Sequence, residues 1–345
     1  MKVTLHTGAG KTGTSAIQVA LSALRPQLAQ AGIHYPQGFG NTGLRADRGE
    51  ISSGNAVALG WLLDPLERKA SFDRPAILIW LDAAIAEAAG RDLLFSSEIM
   101  QRPDPDEAAD LCRRFAAAGY QTHIIYYVRH ALDQSRAAYL QALKRGQIAQ
   151  RGLGSLEDFI GNDAKCSYLD ALTPYLGLLP PGHITVRLYD AERADLVPGF
   201  LRLLSDTQFP LAAPERILNR SPTMAEQAVF NVLATLDDGQ RLCRVASDLL
   251  LRAPLEEAPE EPVSAAAYAG FAARNQPIVD AFNARFLPDG PQLLLASDRI
   301  TSGTAAAPEP AEVYATFAHC LTLLAAEHAT RLAQLRADLR AKRRP

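Results

Sequence analysis

Apolar residues along the chain follow two kinds of pattern. Four runs of strand length are almost continuously apolar: Val3 to Leu5, Arg91 to Ser97, Thr122 to Val128 and His183 to Tyr189. Between these runs, apolar residues recur every three or four positions, which is the spacing of an amphipathic helix. Apolar strands that alternate with helices are typical of a parallel β-sheet flanked by helices. The pattern therefore predicts an α/β fold.

The C-terminal half of the chain is predicted to be mainly helical. Helical spacing covers 194–204, 223–236, 240–251, 265–286 and, in the tail, 312–344. A stretch rich in Gly, Ala and Pro precedes the tail. We therefore expect an α/β domain over residues 1–300, a linker over 301–310 and a C-terminal helix with a basic end over 311–345.

The turn after the first strand has the composition of an anion-binding loop. Gly8, Gly10 and Gly13 interrupt the strand pattern, Lys11 lies between them, and a helix is predicted to begin at Thr14. Glycines let backbone N–H groups point into the turn, and a helix N-terminus adds unsatisfied donors and partial positive charge. A nucleotide P-loop would need a glycine at position 5, where this chain has leucine. The expected ligand is a phosphate-like group, and the alternative is a glycine turn without a ligand.

Polar and charged residues follow three of the predicted strands. His6 and Lys11 follow the first strand, Glu98 the second and Arg129 the third. Ligands bind at the carboxyl ends of the strands in parallel sheets, so we expect these side chains to share one site. Glu98 is a candidate general base and His6 the competing one. The alternatives are a capping or ion-pairing role for Glu98 and a loop-orienting role for His6.

The motif around this loop resembles the 5'-phosphosulfate loop of bacterial sulfotransferases that use 3'-phosphoadenosine 5'-phosphosulfate (PAPS). His6, the Lys-Thr-Gly-Thr-Ser segment at 11–15 and Gln18 match that pattern in order, and the Ser-Ser-Glu segment ending at Glu98 is similar to the family's strand end. The resemblance covers roughly Met1 to Gly290. It implies a P-loop NTPase-like sulfotransferase fold, PAPS as donor without a metal, and an acceptor hydroxyl, with a carbohydrate expected.

The resemblance also assigns roles to individual residues. The 5'-phosphosulfate would be held by Gly10, Lys11, Thr12, Gly13, Thr14 and Ser15. In the family an arginine at the position of Arg129, with a serine on the next helix, holds the 3'-phosphate. That serine lies two residues before a tyrosine, and counting back from Tyr139 reaches Ala137. The nearest serine is Ser135, so either Ser135 makes this contact or the contact is missing in this chain.

Two other functions remain open from the sequence. In a P-loop kinase, the apolar run ending at Asp82 would be a strand that holds magnesium, although its continuation and the proline at its start favour a helix. Phosphoryl transfer needs a metal to manage charge, so the lack of a convincing magnesium aspartate favours sulfuryl transfer. The second alternative is a nucleotide-binding protein on the same fold without catalysis.

The overall composition restricts the kinds of partner that the protein is expected to bind. The formal net charge of −3 argues against a general nucleic-acid binder. No apolar run is long enough to span a bilayer, and the four cysteines are widely spaced, so we expect reduced thiols in a cytoplasmic protein. In the tail, a near-heptad stripe that includes Leu321, Leu332 and Leu335 either packs on the body or pairs with another chain, which makes a homodimer through this helix possible.

Overall fold

A computed structural model of the chain describes residues 1–40, 53–68, 72–162, 167–210, 220–251, 262–297 and 307–342. Five strands form one sheet: β1 Lys2–Gly8, β2 Ile33–His34, β3 Asp92–Ser96, β4 Gln121–Val128 and β5 Ile184–Leu188. Their spatial order is β2-β3-β1-β4-β5, and every neighbouring pair is parallel. The predicted α/β fold is confirmed.

The strand order creates a crevice at the carboxyl end of β1 and β4. In the register, Gly8 at the end of β1 is paired with Tyr127 near the end of β4. The chain leaves β1 toward β2 on one side of the sheet and leaves β4 toward β5 on the other. Loops that diverge in this way leave space above two adjacent strands, and this switch point is where ligands bind in such sheets.

Fifteen helices are described. Their bounds are α1 Thr14–Ala23, α2 Arg25–Gln30, α3 Val57–Leu63, α4 Arg74–Ala88, α5 Pro105–Ala117, α6 Ala131–Lys144, α7 Gln147–Gln150, α8 Leu156–Asn162, α9 Tyr168–Leu176, α10 Tyr189–Glu192, α11 Leu196–Leu204, α12 Met224–Ala234, α13 Gly239–Leu250, α14 Ala265–Phe286 and α15 Pro310–Lys342. Short 3-10 helices cover Pro65–Glu67 and Glu98–Gln101.

The first helix differs from the sequence prediction. A continuous helix from Thr14 to Ala31 is expected, but the structure has two helices separated at Leu24. Pro26 lies in the first turn of α2, where its missing N–H costs little; inside a continuous helix it would remove a hydrogen bond and clash with the preceding turn. The break is therefore the expected consequence of this proline.

The chain divides into two compact units. The first comprises 1–134, 165–213 and 274–295 and contains the whole sheet; the second comprises 135–164, 214–273 and 296–345 and is helical. This confirms the predicted helical character of the C-terminal half. The predicted division at 300 and 310 stays a prediction, and most of its linker lies outside the described residues.

The first unit is a three-layer sandwich. On one face of the sheet, Trp80 of α4 and Phe115 of α5 contact Phe95 of β3, each with ring centroids 5.9 Å apart. On the other face, Phe200 of α11 lies 4.5 Å from the ring of His6 on β1. The apolar cluster on that face buries side chains of α1, α2, β4 and α11, which anchors both α1 and the loop that precedes it.

The second unit packs α12, α13 and part of α15 together. Cys243 on α13 and Cys320 on α15 are buried in it. At the start of α12, Thr223 and Glu226 form a capping box, and the Arg220 guanidinium donates to both Glu226 carboxylate oxygens at 2.7 and 2.8 Å. Thr223 therefore caps this helix, and Arg220 is engaged in a structural ion pair with Glu226.

Candidate active site

The glycine turn after β1 is fastened to the neighbouring strand. The backbone N–H of Ala9 donates to the carbonyl of Tyr127 at 2.9 Å, and the Thr12 hydroxyl donates to the carbonyl of Ala9 at 2.7 Å. A Cβ on Gly8 would lie 2.7 Å from Thr12 Oγ1 and 3.2 Å from the Tyr127 carbonyl oxygen. Glycine at position 8 therefore lets the turn close against β4, and Thr12 locks it there.

Two residues of the turn have left-handed backbone conformations. Gly13 has φ of 75°, and a Cβ there would lie 2.2 Å from Leu196 Cδ2, so no larger residue fits. Lys11 has φ of 70° despite carrying a side chain. That conformation costs a non-glycine residue about 1 to 2 kcal/mol and is concentrated at functional sites. Gly10, at the tip of the turn, has open space around its Cα.

The turn leads directly into the N-terminus of α1. The N-cap residue is Gly13, so no side chain caps the helix, and its first turn contains no acidic residue. Thr14 is buried and Ser15 half-buried at this end. A ten-residue helix with an uncapped N-terminus presents backbone donors and the positive end of its dipole toward the turn. Residues 10–15 therefore form one continuous surface of potential anion donors.

Glu98 lies beside this helix N-terminus. Its Oε2 accepts a hydrogen bond from the Thr14 hydroxyl at 3.3 Å. The preceding residue, Ser97, donates its backbone N–H to the His6 carbonyl at 3.0 Å, and its Oγ accepts from the Ile99 N–H at 3.2 Å. The carboxylate is thus placed by a continuation of the sheet and by the cap of a short helix.

Asn55 fixes the strand that leads to Glu98, and the sequence gives no sign of it. Its side chain is buried, accepts from the backbone N–H of Ser96 at 2.8 Å, and donates to the carbonyls of Leu94 and Pro36 at 3.2 and 3.0 Å. One amide therefore satisfies two backbone groups of β3 and one that follows β2. Gly54 before it has φ of 85°, and a Cβ there would lie 2.0 Å from the Ser96 carbonyl oxygen.

Arg129 approaches the turn from the end of β4. Its Nη1 lies 3.4 Å from the carbonyl oxygen of Lys11, and its guanidinium lies 5.4 Å from the ring centroid of Tyr189. Asp190 Oδ1 is 3.6 Å from Nε, which has no hydrogen-bond partner among the described residues. The Arg129 side chain is 23% exposed, and charge and ring contacts hold its guanidinium beside the turn.

Tyr189 and Asp190 are site residues that the sequence analysis missed. Asp190 Oδ2 accepts the backbone N–H of His130 at 2.8 Å, which links the end of β5 to the end of β4. His130 Nδ1 accepts a hydrogen bond from the backbone N–H of Leu294 at 3.0 Å. Tyr189 ends the predicted strand His183 to Tyr189 and Asp190 directly follows it, so the carboxyl-end rule that identified Arg129 also applies to Asp190.

His6 is placed beneath the turn. Its ring is fully buried, Nδ1 lies 2.8 Å from Ser96 Oγ, and Nε2 has no hydrogen-bond partner among the described residues. Burial lowers the pKa of His6 from 6.5 to about 3. A neutral imidazole enclosed by Tyr127 and Phe200 favours a structural role for His6 and leaves Glu98 as the carboxylate next to the turn.

The remaining predicted positions lie elsewhere. Ser135 and Ala137 are half-buried residues of α6 in the second unit, and the contact assigned to Ser135 stays a prediction. The stretch 39–54 is rich in Gly, Arg and Asn, which predicts a loop, and most of it lies outside the described residues. Asp82 lies on α4, as its sequence context favours, and forms an ion pair with Arg114. It is therefore not at a strand end.

A cavity of about 690 Å³ lies away from the turn, along α4 and α5. Its charged lining is largely neutralised in pairs, including Arg74 with Glu107 at 2.6 Å and Arg114 with Asp82. Within the described ranges, no cluster of three or more His, Cys, Asp or Glu side chains could hold a metal ion. No helix in that part of the chain is both long and apolar enough to cross a membrane.

Comparisons with known proteins add one structural likeness. No protein-family model matches the chain, and no curated protein matches it. Among solved structures, a sulfotransferase from Alicyclobacillus acidocaldarius is similar, with 14% identity, 71% of this chain and 96% of that chain covered, and a TM-score of 0.36. At this identity and TM-score the likeness assigns neither a family nor an activity, so the function has to be argued from the site.

Proposed function

We propose that the chain is a sulfotransferase that moves a sulfuryl group from PAPS to a hydroxyl of a carbohydrate. The observation that carries the proposal is the convergence of three elements at the end of β1. The carboxylate of Glu98 accepts a hydrogen bond from Thr14, at the N-terminus of the helix that follows the turn. The guanidinium of Arg129 lies within hydrogen-bond distance of the Lys11 carbonyl. A general base, an anion-binding turn and an arginine guanidinium within one crevice are the groups that sulfuryl transfer from a nucleotide requires.

The donor has two anionic ends, and the chain has a group for each. The 5'-phosphosulfate is assigned to residues 10–15, whose turn and uncapped helix offer backbone donors, with Lys11 adding a full charge. The 3'-phosphate is assigned to Arg129, because a guanidinium fork suits a phosphate and this one lies beside the turn, with Nη1 3.4 Å from the Lys11 carbonyl oxygen.

The chemical step follows from these assignments. Glu98 accepts the proton of the acceptor hydroxyl, and the hydroxyl oxygen forms a bond to sulfur. The bond between sulfur and the bridging phosphate oxygen breaks, and 3',5'-ADP leaves with the negative charge. Lys11 stabilises that charge. The transferred group is less charged than a phosphoryl group, so protein donors suffice and we propose no metal. His6 supports the turn from below and exchanges no proton with the substrate.

The kinase alternative receives no support from the site. Its magnesium aspartate would be Asp82, which lies on α4 in an ion pair and away from the carboxyl end of β1. We also propose a cytoplasmic location, because Cys112, Cys243 and Cys320 are free thiols and the donor is an intracellular nucleotide.

The test is transfer of sulfur-labelled PAPS to a panel of carbohydrate and simple alcohol acceptors. We expect labelled product from the wild-type chain and a turnover lowered at least about 100-fold in Glu98→Gln, because a general base contributes that much or more. Affinity for 3',5'-ADP should change less than about threefold in the same variant, since the carboxylate does not hold the donor. Glu87→Gln, which removes an exposed carboxylate from α4, is the matched control and should behave as wild type. Unchanged turnover in Glu98→Gln would remove it as the base, and no transfer to any acceptor would favour a binding protein.

A further inference from the structure

The C-terminal helix extends beyond the part that packs on its own unit. Cys320 is 1% exposed and faces α12 and α13, whereas every residue from 325 to 336 is exposed. An isolated helix of about 12 to 15 residues is marginal in water, so the exposed part of α15 needs support from another surface. This part of the helix is not uniformly polar. It carries Leu332 and Leu335, which are 41% and 51% exposed.

The exposed apolar residues form a heptad stripe. Tyr314, Leu321, His328 and Leu335 recur every seven residues, and Ala318, Ala325 and Leu332 lie four residues after the first three. On a helix with 100° per residue these seven positions fall on one side, while the buried Cys320 points about 100° away from the stripe. Tyr314 and Leu321 are 75% and 49% exposed, so the stripe is uncovered from end to end. Three heptads of alternating four- and three-residue spacing are the seam of a two-stranded coiled coil.

We propose that a second copy of the chain covers this stripe and that the two α15 helices run antiparallel. The order of large and small residues along the stripe favours a second copy as the partner, because large residues meet small or equal ones when two copies run in opposite directions. With Leu332 placed against the partner's Leu321, Ala325 falls against the partner's His328 and Ala318 against the partner's Leu335. Each layer then combines a large residue with a small or matching one, which fills space evenly.

The charges beside the seam oppose the parallel arrangement. In a parallel pair the residue before each of Ala318, Ala325 and Leu332 faces, on the partner, a residue five positions further along the chain. Arg331 and the partner's Arg336 would then be adjacent on both sides of the pair, and like charges in such positions repel. In the antiparallel pair Arg331 lies beside the partner's Leu324 and Arg336 beside the partner's Ala315. The same helix face that rejects a parallel copy therefore accepts an antiparallel one.

The parallel arrangement also packs poorly. It would place Ala318 against the partner's Ala318 and Ala325 against the partner's Ala325, with bulky layers between them. Two small residues in one layer leave a gap that the neighbouring leucines cannot fill without moving. Packing and charge thus favour the same orientation, and they do so independently.

The first test is the mass of the full chain by light scattering and sedimentation, between about 1 and 100 µM, a range in which an interface of modest area assembles. We expect a reversible dimer. Leu332→Glu places a charge in the seam and should raise the dissociation constant at least tenfold. Thr330→Glu places the same charge on the opposite side of the same exposed turn and should leave it unchanged. A monomer throughout the range, or equal loss in both variants, would overturn the proposal.

The second test is disulfide cross-linking under mild oxidation, which separates the two orientations. Leu321→Cys and Leu332→Cys should each give no covalent dimer alone, whereas mixing the two variants should link position 321 of one chain to 332 of the other. Within one chain the two positions are about 16 Å apart along the helix, too far for a disulfide. A covalent dimer from either single variant, beyond that of the wild-type chain, would indicate a parallel pair and contradict the proposal.

Discussion

The burial of His6 predicts a specific loss of stability in acid. Burial lowers the pKa of this imidazole from 6.5 to about 3, so the unfolded chain binds a proton over a pH range in which the folded chain does not. Stability is therefore full above the unfolded pKa and falls as the pH decreases from about 6.5 toward 3, by about 1.4 kcal/mol per pH unit. Between about pH 7.5 and about pH 5 the expected loss is about 2 kcal/mol.

The chain provides a local probe for this measurement. Both tryptophans, Trp61 and Trp80, belong to the first compact unit, as does His6. Urea unfolding followed by tryptophan fluorescence therefore reports on the unit that contains His6. A loss of about 2 kcal/mol should move the urea midpoint down by about 1 M, given the slopes usual for units of this size.

A variant isolates the contribution of His6 from that of other histidines. Burial also lowers the pKa values of His34 and His123, and both act in the same direction. His6→Asn keeps a polar atom where Nδ1 meets Ser96 Oγ but cannot titrate, so it should lose about 2 kcal/mol less between the two pH values than wild type. Equal losses in the two proteins would refute the reasoning. They would show that His6 takes up protons in the folded chain and would restore it as a candidate base.

Four further substitutions follow from the site. Asn55→Ala leaves without hydrogen bonds the three backbone groups that the buried amide satisfies, so the free energy of unfolding of the first unit, measured in urea, should fall by about 3 kcal/mol or more. A fall of less than about 1 kcal/mol would contradict these three hydrogen bonds. Lys11→Ala should lower turnover in the sulfuryl-transfer assay about 1,000-fold, and near-normal rates would remove Lys11 from the mechanism. Lys11→Gly should be as inactive but about 1 kcal/mol more stable than Lys11→Ala, because glycine adopts the positive φ without strain, and the reverse order in urea would argue against that conformation. Arg129→Ala should lower the affinity for 3',5'-ADP, measured by calorimetry, at least about tenfold and should change the affinity for 5'-AMP little. Equal losses for the two nucleotides would contradict the assignment of Arg129 to the 3'-phosphate.

The sheet could be predicted from the sequence because its strands are buried on both faces. Such strands are continuous apolar runs bounded by turn residues, and three of the predicted runs match β3, β4 and β5 with ends within one residue. The first run, Val3 to Leu5, is extended in the structure to Lys2–Gly8. The short extended piece at Ile33 and His34 also belongs to the sheet, as β2. The helix break at Leu24 was missed because helical spacing continues through Pro26, although the proline itself marks a first turn.

The site was predictable only where chemistry follows a strand. Glu98 and Arg129 meet the glycine turn because parallel strands bring their carboxyl ends together, and the same rule extends to Asp190. Asn55 follows no strand, and its role depends on where the fold places it, so no local pattern indicates it. The positive φ of Lys11 is likewise hidden, because glycine is the residue that such a conformation normally selects.

The central claim is that the turn at 10–15 and Arg129 bind the nucleotide of a sulfuryl donor. The most direct measurement is calorimetric titration of the purified full chain with 3',5'-ADP and, in parallel, with ATP and magnesium. We predict binding of the bisphosphate, weakened in Lys11→Ala and in Arg129→Ala, and no binding of ATP. A preference for ATP with magnesium would contradict the claim and point to a kinase, and binding of neither nucleotide would show that the turn holds no nucleotide donor.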